Sequence, residues 1–442
     1  QVHTLLDYNG TSLFAVDNSG IRNVTTGSAG PYTPVYPFAY GIRGSGCSLK
    51  TSAGAYLFFF DGSNTPARYD GTTWIPITGI STGAITGLAT NTIKKGLVYR
   101  RRLFLLQQGY LGFYYLSVDS VAGAATAFSL GTIFSRGGQV TDAITWTIDG
   151  GDGPDDYIVF VTSQGELAVY SGGNPAAVTD WTLQGVFYIG SPGGSGAPVT
   201  SGLACYFQQS LTKWGGDVLF LNNSGLFPLA KSLASVAVNR TVAISQNINN
   251  TIVDAFKTFI ASSNVPLWAV YNFPSAQLIL IQHPNGTQFA MDIQTKGWTL
   301  LTDIGAYSWC EFRNEVYYGT IGGVYKAFTT SVSDNGSPIN LTCQPASTRF
   351  GSAANFQVME VKPVMLGDAA ITSATLGGSV DWQDTFQMQP YTANFVSNQI
   401  ESLWQTVAVW PGMAFNPRLE VSTSTTALQL LSFEVRTQQV ES

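Results

Sequence analysis

The sequence repeats one short pattern: an apolar run, a turn built on glycine, and a second apolar run. YIVFVTSQGELAVYSG is one copy. Tyr157, Val159 and Val161 alternate ahead of a turn at Gly165, and Leu167, Val169 and Tyr170 follow it. Strand, glycine turn, strand is the composition and spacing of a β-hairpin. The unbroken apolarity of the first strand predicts burial on both faces. LFAVDNSGIRNVTT, YLFFFDGSNTPARYDG, RLFLLQQGYLGFYYL, VLFLNNSGLFPLA, LILIQHPNGTQFAMDI and VYYGTIGGVYKAF repeat it, turning at Gly20, Gly62, Gly109, Gly225, Gly286 and Gly322–Gly323. The turn glycines stand roughly 35 to 60 residues apart, a period that signals a solenoid, a propeller or an array.

Two further features favour a propeller. Several units end in an aromatic segment, at Trp74, Trp181 and Trp298, and lead-in strands such as AITWTID and PLWAVYNF precede the hairpins. Three or four strands per unit is the anatomy of a blade. Residues 1–330 therefore read as an all-β propeller of six to seven blades, with a β-sandwich array as the alternative. WD and kelch signatures are absent. SQNINNTIVDAFKTF breaks the pattern: Ile248, Ile252 and Phe256 fall at helical spacing with Phe259 one turn on, which predicts an inserted helix over 245–259. Ile252, Phe256 and Phe259 either pack that helix on the propeller or face a partner; packing is preferred. SDNGSPI marks a boundary. Beyond it, FQVMEVKPVML, SVDWQ, RLEVSTS and LQLLSFEVR predict a second antiparallel β domain over 337–442, a small sandwich.

Composition narrows the function classes. Only 11% of the 442 residues are charged, against a usual share of about 25%. The polar surface must come from Ser, Thr, Asn, Gln and Gly, as in β-rich proteins that work outside cells or in virus particles. A net charge of −6 argues against a sequence-reading nucleic-acid protein. No apolar run of about twenty residues occurs, so no membrane-spanning helix is expected. QVHTLLDYNG is not a signal peptide, and its lack of an initiator Met leads one to expect a preceding segment. Cys47, Cys205, Cys310 and Cys343 form no CxxC pair and are expected as free, buried thiols.

Catalytic candidates are few. His3 lies at a terminus and His283 in a hairpin turn, and neither adjoins a serine or cysteine motif. WTIDGGDGPDDY offers Asp149, Asp152, Asp155 and Asp156 as weak ligands for a metal such as Ca²⁺. Their spacing is not that of an EF-hand loop. The preferred reading is a loop between two blade strands, with Gly and Asp as turn formers. YDGTTW, from Tyr69 to Trp74, falls one residue short of a sialidase Asp box. KKGLVYRRR, with Lys94, Lys95, Arg100, Arg101 and Arg102, could contact phosphate, or form a blade rim or subunit contact, with Arg100 and Arg101 facing the partner; the second is preferred. No catalytic residue and no cofactor is assigned.

YRRRLFLLQQGYLGFYYLSVDSVAGAATAFSLGTIFSRGGQV followed by ITWTIDGGDGPDDYIVFVTSQGELAVYSGGNP resembles the tail nozzle, or tail tubular protein B-like, family of short-tailed bacteriophages. The resemblance is densest over residues 97–180. It implies a propeller with added β domains, in a structural virion protein without catalytic residues. It further implies a homo-oligomeric, hexameric ring beneath the adaptor or gatekeeper ring, with a tail fibre or spike as a further partner. Duplex DNA would pass through the lumen without sequence-specific binding, and the ring's far end would be a gate. Family members are often longer than this chain. The competing classes are an extracellular or virion propeller that binds or hydrolyses glycans, and a cellular interaction scaffold.

Overall fold

A computed structural model describes the chain apart from residues 28–29, 39–42, 81–82, 150–153, 191–208, 234–241, 261–267, 284, 335, 351–354, 396–399, 402, 408 and 441–442. The chain divides into two units, Gln1–Phe328 and Thr329–Ser442.

The first unit is a propeller of seven sheets, each built from consecutive antiparallel strands. Their first strands are Val2–Tyr8, Ser45–Thr51, Ile93–Tyr99, Val140–Asp149, Leu211–Trp214, Ala269–Phe273 and Ser308–Phe312. Each glycine hairpin of the sequence is the junction of the second and third strands of one blade. Gly109 and Gly165 adopt φ of 75° and 82°, the left-handed region that a tight turn imposes and glycine enters without strain. The fifth and seventh blades have three strands among the described residues and the other five have four. A parallel pair, Ile85–Thr86 with Gly123–Ala124, joins the loops of the second and third blades.

Blades pack face to face, so both faces of each middle strand are buried; this is why the second strands read as continuous apolar runs. Phe14 and Val16 of the first blade meet Phe59 and Trp74 of the second. Phe104 and Phe113 of the third meet Phe160, Tyr170 and Trp181 of the fourth. The ring closes where Phe312 of the seventh blade packs on Leu5, Leu13 and Ala15 of the first. Val2 N–H donates to Thr320 O (2.8 Å) at the same seam. No strand is exchanged between first and last blade among the described residues, so side-chain packing, with hydrogen bonds such as Arg313 Nε to Gly10 O (2.8 Å), carries closure; each large apolar side chain buried there contributes about 1.5–3 kcal/mol.

The inserted helix runs Asn249–Ile260 behind a 3₁₀ turn, Gln246–Ile248. It begins later than the expected 245 because Ser245 is fixed to the fifth blade. The Ser245 hydroxyl accepts from Leu226 N–H (2.8 Å) and donates to Asn249 Oδ1 (2.5 Å). A Cβ on Gly225 would collide with these two side chains, so that turn requires glycine.

The second unit is a sandwich of a six-stranded and a four-stranded antiparallel sheet. Val361 and Met365 of strand Phe356–Gly367 face Leu376 of Ile371–Val380 and Phe415 and Leu419 of Ala414–Thr423 in one apolar core. Ala414–Thr423 alternates inward apolar and outward polar residues, the pattern of a sheet with one wet face.

Candidate functional site

The blades' first strands converge on the propeller axis around a cavity of about 660 Å³. Its wall carries His3, Asp7, Arg43, Lys95, Lys213 and Glu311, a mixture of both signs. Arg43 donates to the Tyr271 hydroxyl (2.7 Å). Arg43 precedes the second blade and Tyr271 belongs to the sixth; these are not neighbours, so the contact crosses the axis. Burial pushes the Tyr271 hydroxyl above its ordinary pKa, while Arg43 pulls it back.

One carboxylate organises three blades. Asp142, on the first strand of the fourth blade, has no exposed surface. It pairs with Lys95 of the third blade. It accepts from Ser210 Oγ (3.0 Å) and Leu211 N–H (3.1 Å) at the start of the fifth, and from Ala143 N–H (2.8 Å). A buried carboxylate with this many donors is satisfied. It can hold blades in register and has no lone pair left to act on a substrate.

Glu166 does similar work at one turn. It accepts from Ser135 N–H (3.0 Å), Ser135 Oγ (2.8 Å) and Arg136 N–H (2.8 Å). Burial alone would raise the carboxyl, but the Arg136 and Ser135 hydrogen bonds outweigh it and hold its pKa below the ordinary value. The sign follows from linkage. A lowered folded-state pKa gives stability that is fully present above the unfolded pKa and is lost as pH falls through the folded value. Glu166→Gln is expected to destabilise the propeller by about 1–3 kcal/mol at neutral pH and to flatten the acid limb of stability. Tryptophan fluorescence during denaturation at pH 7 and pH 4 checks this; an unchanged pH dependence would contradict it.

The acidic run lies on a hairpin. Val140–Asp149 pairs with Pro154–Thr162, placing Ile148 opposite Asp155 and Thr147 opposite Asp156. Asp156 accepts from Thr147 Oγ1 (2.9 Å), and its carbonyl accepts from the Tyr99 hydroxyl (2.7 Å). Asp152 lies outside the described residues, as do the side chains of Asp149 and Asp155. Among the described residues no group of three or more His, Cys, Asp or Glu could hold a metal. Asp70 of YDGTTW accepts from Thr72 and Thr73 N–H (2.8 Å each) and forms the turn before Trp74, which packs on Phe14.

The basic cluster is dispersed by strand alternation and a turn. Lys94 is buried and Lys95 serves Asp142. Arg102 is buried, donating to Leu116 O (2.8 Å) and Gly173 O (3.2 Å). Arg100 and Arg101 occupy the hairpin turn: Arg100 lies over the Tyr99 ring, and Arg101 Nε donates to Asp119 (2.8 Å). A continuous phosphate-facing patch is therefore not formed. Two of the partner-facing candidates are also corrected. Ile252 and Phe256 are buried against Leu219, Trp268 and Ile281, with Phe256 stacked on Trp268 at 4.0 Å between ring centres. They are core between the fifth and sixth blades, because the helix turns its apolar stripe inward. The side chain of Phe259 lies outside the described residues.

His3 pairs with Asn18 and His283 with Asn285, each at 2.5 Å, and burial lowers the pKa of both rings. Cys47, Cys310 and Cys343 are free; Cys205 lies outside the described residues. Cys47 and Cys310 sit in the cavity wall and keep some exposure as residues, yet burial of the thiols pushes their pKa values up to about 12. Both are expected to resist a thiol-reactive dye at neutral pH until the protein unfolds. Rapid labelling of either in the native protein, read by mass mapping, would contradict that.

No family model and no curated protein matches the chain. Solved structures do. One is PorZ, an essential surface component of the type-IX secretion system of Porphyromonas gingivalis, at 14% identity and TM-score 0.39, covering 74% of this chain and 36% of PorZ. Another is the extracellular domain of BT3049 from B. thetaiotaomicron, at 12% and 0.46, covering 92% and 55%. BamB from Moraxella catarrhalis gives 12% and 0.38, covering 74% and 84%. The chain thus spans about a third of PorZ and about half of the BT3049 domain.

Sequence reasoning missed Asp142 and Glu166. Each stands alone among apolar or neutral neighbours, in VTDAITW and SQGELAV. A single charge inside a strand buried on both faces was the available signal, since such a charge must find partners.

Proposed function

We propose that this chain is a structural protein of a phage virion, a nozzle-type subunit whose copies form a ring that conducts and gates the genome during ejection. The observation that carries the reading is how charge is used where the sequence resembles the nozzle family. Between Leu97 and Asp180, every charged residue with a described side chain is engaged by the fold. Arg100 and Arg136 lie over the Tyr99 and Tyr188 rings. Arg101 pairs with Asp119, Arg102 binds backbone, and Lys95, just ahead of the segment, meets Asp142. Glu166 and Asp180 accept backbone N–H groups, and Asp156 accepts the Thr147 hydroxyl. A scaffold uses its ionic groups this way; an enzyme leaves some aimed at substrate.

The axial cavity supports the ring. At about 660 Å³, crossed by Arg43 and Tyr271, it has no room for a duplex. A DNA path must run between copies. Low charge suits both tight packing between subunits, with little desolvation, and a lumen that does not grip phosphate. The adaptor ring and a fibre or spike remain the expected partners, and the virion the location. Antibody labelling of the source particles in electron micrographs tests this. Label at the tail, below the head, is expected; particles without label would contradict it.

The same cavity favours a second reading, a propeller that binds a glycan, because its volume and few convergent polar groups are those of a small-ligand site. A glycan array decides it: binding abolished by Lys213→Ala would favour the glycan reading over the scaffold.

A further inference from the structure

Edge strands expose unpaired backbone groups, and proteins shorten, cover, charge or proline-block them. The propeller follows that rule at six blades. The outermost described strands of the first, second, third, sixth and seventh blades are Tyr36–Pro37, Trp74–Pro76, Thr126–Ser129, Trp298–Leu301 and Val324–Lys326, none longer than four residues. That of the fifth, Gly225–Pro228, is buried. The fourth departs. Its outer strand, Thr182–Tyr188, is seven residues long and reads TLQGVFY. It carries no charge, and Leu183, Val186 and Tyr188 are exposed. Among the described residues no strand pairs with its outer side.

The sandwich shows the same contrast. Gln387–Ala393 carries Pro390 at one edge. Leu428–Gln439 carries Glu434 and Arg436, in ion pairs with Lys362 and Glu360. Ile400–Glu401 and Gln405–Thr406 are two residues each. Among the described residues the remaining long edge is Ser337–Cys343, SPINLTC: it is uncharged, its one proline, Pro338, lies at the covered end, and Ile339 and Leu341 are exposed. It pairs with Ala414–Thr423 on one side. On the other side, only its first two residues are covered, by Ser333–Asp334.

We infer that these two edges, Thr182–Tyr188 and residues 339–343, which have no strand on their outer sides among the described residues, bind each other between neighbouring copies of this chain. Strand Ser337–Cys343 of one copy adds to the fourth blade of the next. The free stretches, residues 339–343 and the seven residues of Thr182–Tyr188, share a lack of charge and exposed apolar side chains, so backbone hydrogen bonds and apolar contact form together, as in strand addition. Because the two edges are different surfaces, the contact is heterologous and propagates into a ring or a filament. This rests on the edges alone and is separable from the phage reading.

Sedimentation velocity on the full chain tests it, with one variant per edge: Leu183→Lys with Val186→Lys, and Ile339→Lys with Leu341→Lys. All four positions are exposed, and circular dichroism checks the fold. Should either double variant lose its spectrum, Val186→Lys or Leu341→Lys alone replaces it. The wild type is expected to assemble with rising concentration, and each variant to weaken assembly at least tenfold. An equimolar mixture of the two variants should then give a one-to-one dimer and nothing larger, since each supplies the one edge the other lacks. A wild type that stays monomeric overturns the inference. So do variants that assemble like the wild type, and a mixture that stays monomeric. Rings that survive both edge changes would overturn this contact while leaving the nozzle reading standing.

Discussion

Asp142→Ala is expected to lower the stability of the propeller by about 3–5 kcal/mol, the loss typical when one partner of a buried pair is removed. Three consequences combine. Lys95 loses its carboxylate partner at the cavity wall. Ser210 Oγ and Leu211 N–H, buried at the start of the fifth blade, lose their acceptor. The seams of the fourth blade with both neighbours therefore loosen at once. Asp142→Asn keeps the shape and one acceptor, and should fall between wild type and alanine. Chemical denaturation followed by tryptophan fluorescence, compared at the propeller's own transition because two units need not unfold together, gives the number. A loss below about 1 kcal/mol would place the carboxylate among the ordinary ion pairs that contribute little.

Phe256→Ala is expected to cost about 3–5 kcal/mol, the usual range for truncating a buried aromatic. The ring is buried and stacks on Trp268, itself among the most buried side chains of the chain. Loss of that stack removes one of the ties, with Ile252, between the inserted helix and the sixth blade. A partner-facing phenylalanine would behave oppositely: stability would hold and only association would change. The same denaturation experiment, run beside sedimentation, separates the two. Unchanged stability with weakened assembly would return this residue to a surface.

Much of the fold was legible because blade packing writes directly into sequence. The second strands of the blades are buried on both faces, so they appear as runs such as LFAV, YLFFF and RLFLL. Their turns need positive φ, so glycine recurs. Trp74 and Trp181 stood out because each fourth strand opens on a ring wedged against the preceding blade. The blade number was less legible: two blades have three described strands, and the loops differ in length, so the period wanders.

The site was harder to read for a different reason. The acidic run drew attention by composition, yet residues crowded together in sequence at a hairpin are there because turns favour them. Asp142 carries more structure than any of them, and its partners Lys95, Ser210 and Leu211 lie 47, 68 and 69 residues away. Nothing local announces such a contact; it exists only once three blades are assembled. The basic cluster misled in the same manner, since strand alternation and one turn send its members in different directions.

The most direct test of the scaffold account is the native mass of the purified full chain, with electron microscopy of the same sample. A closed ring of identical copies with a central hole wide enough for duplex DNA is the expected result. A monodisperse monomer at every concentration, binding a glycan in its axial cavity, would contradict it.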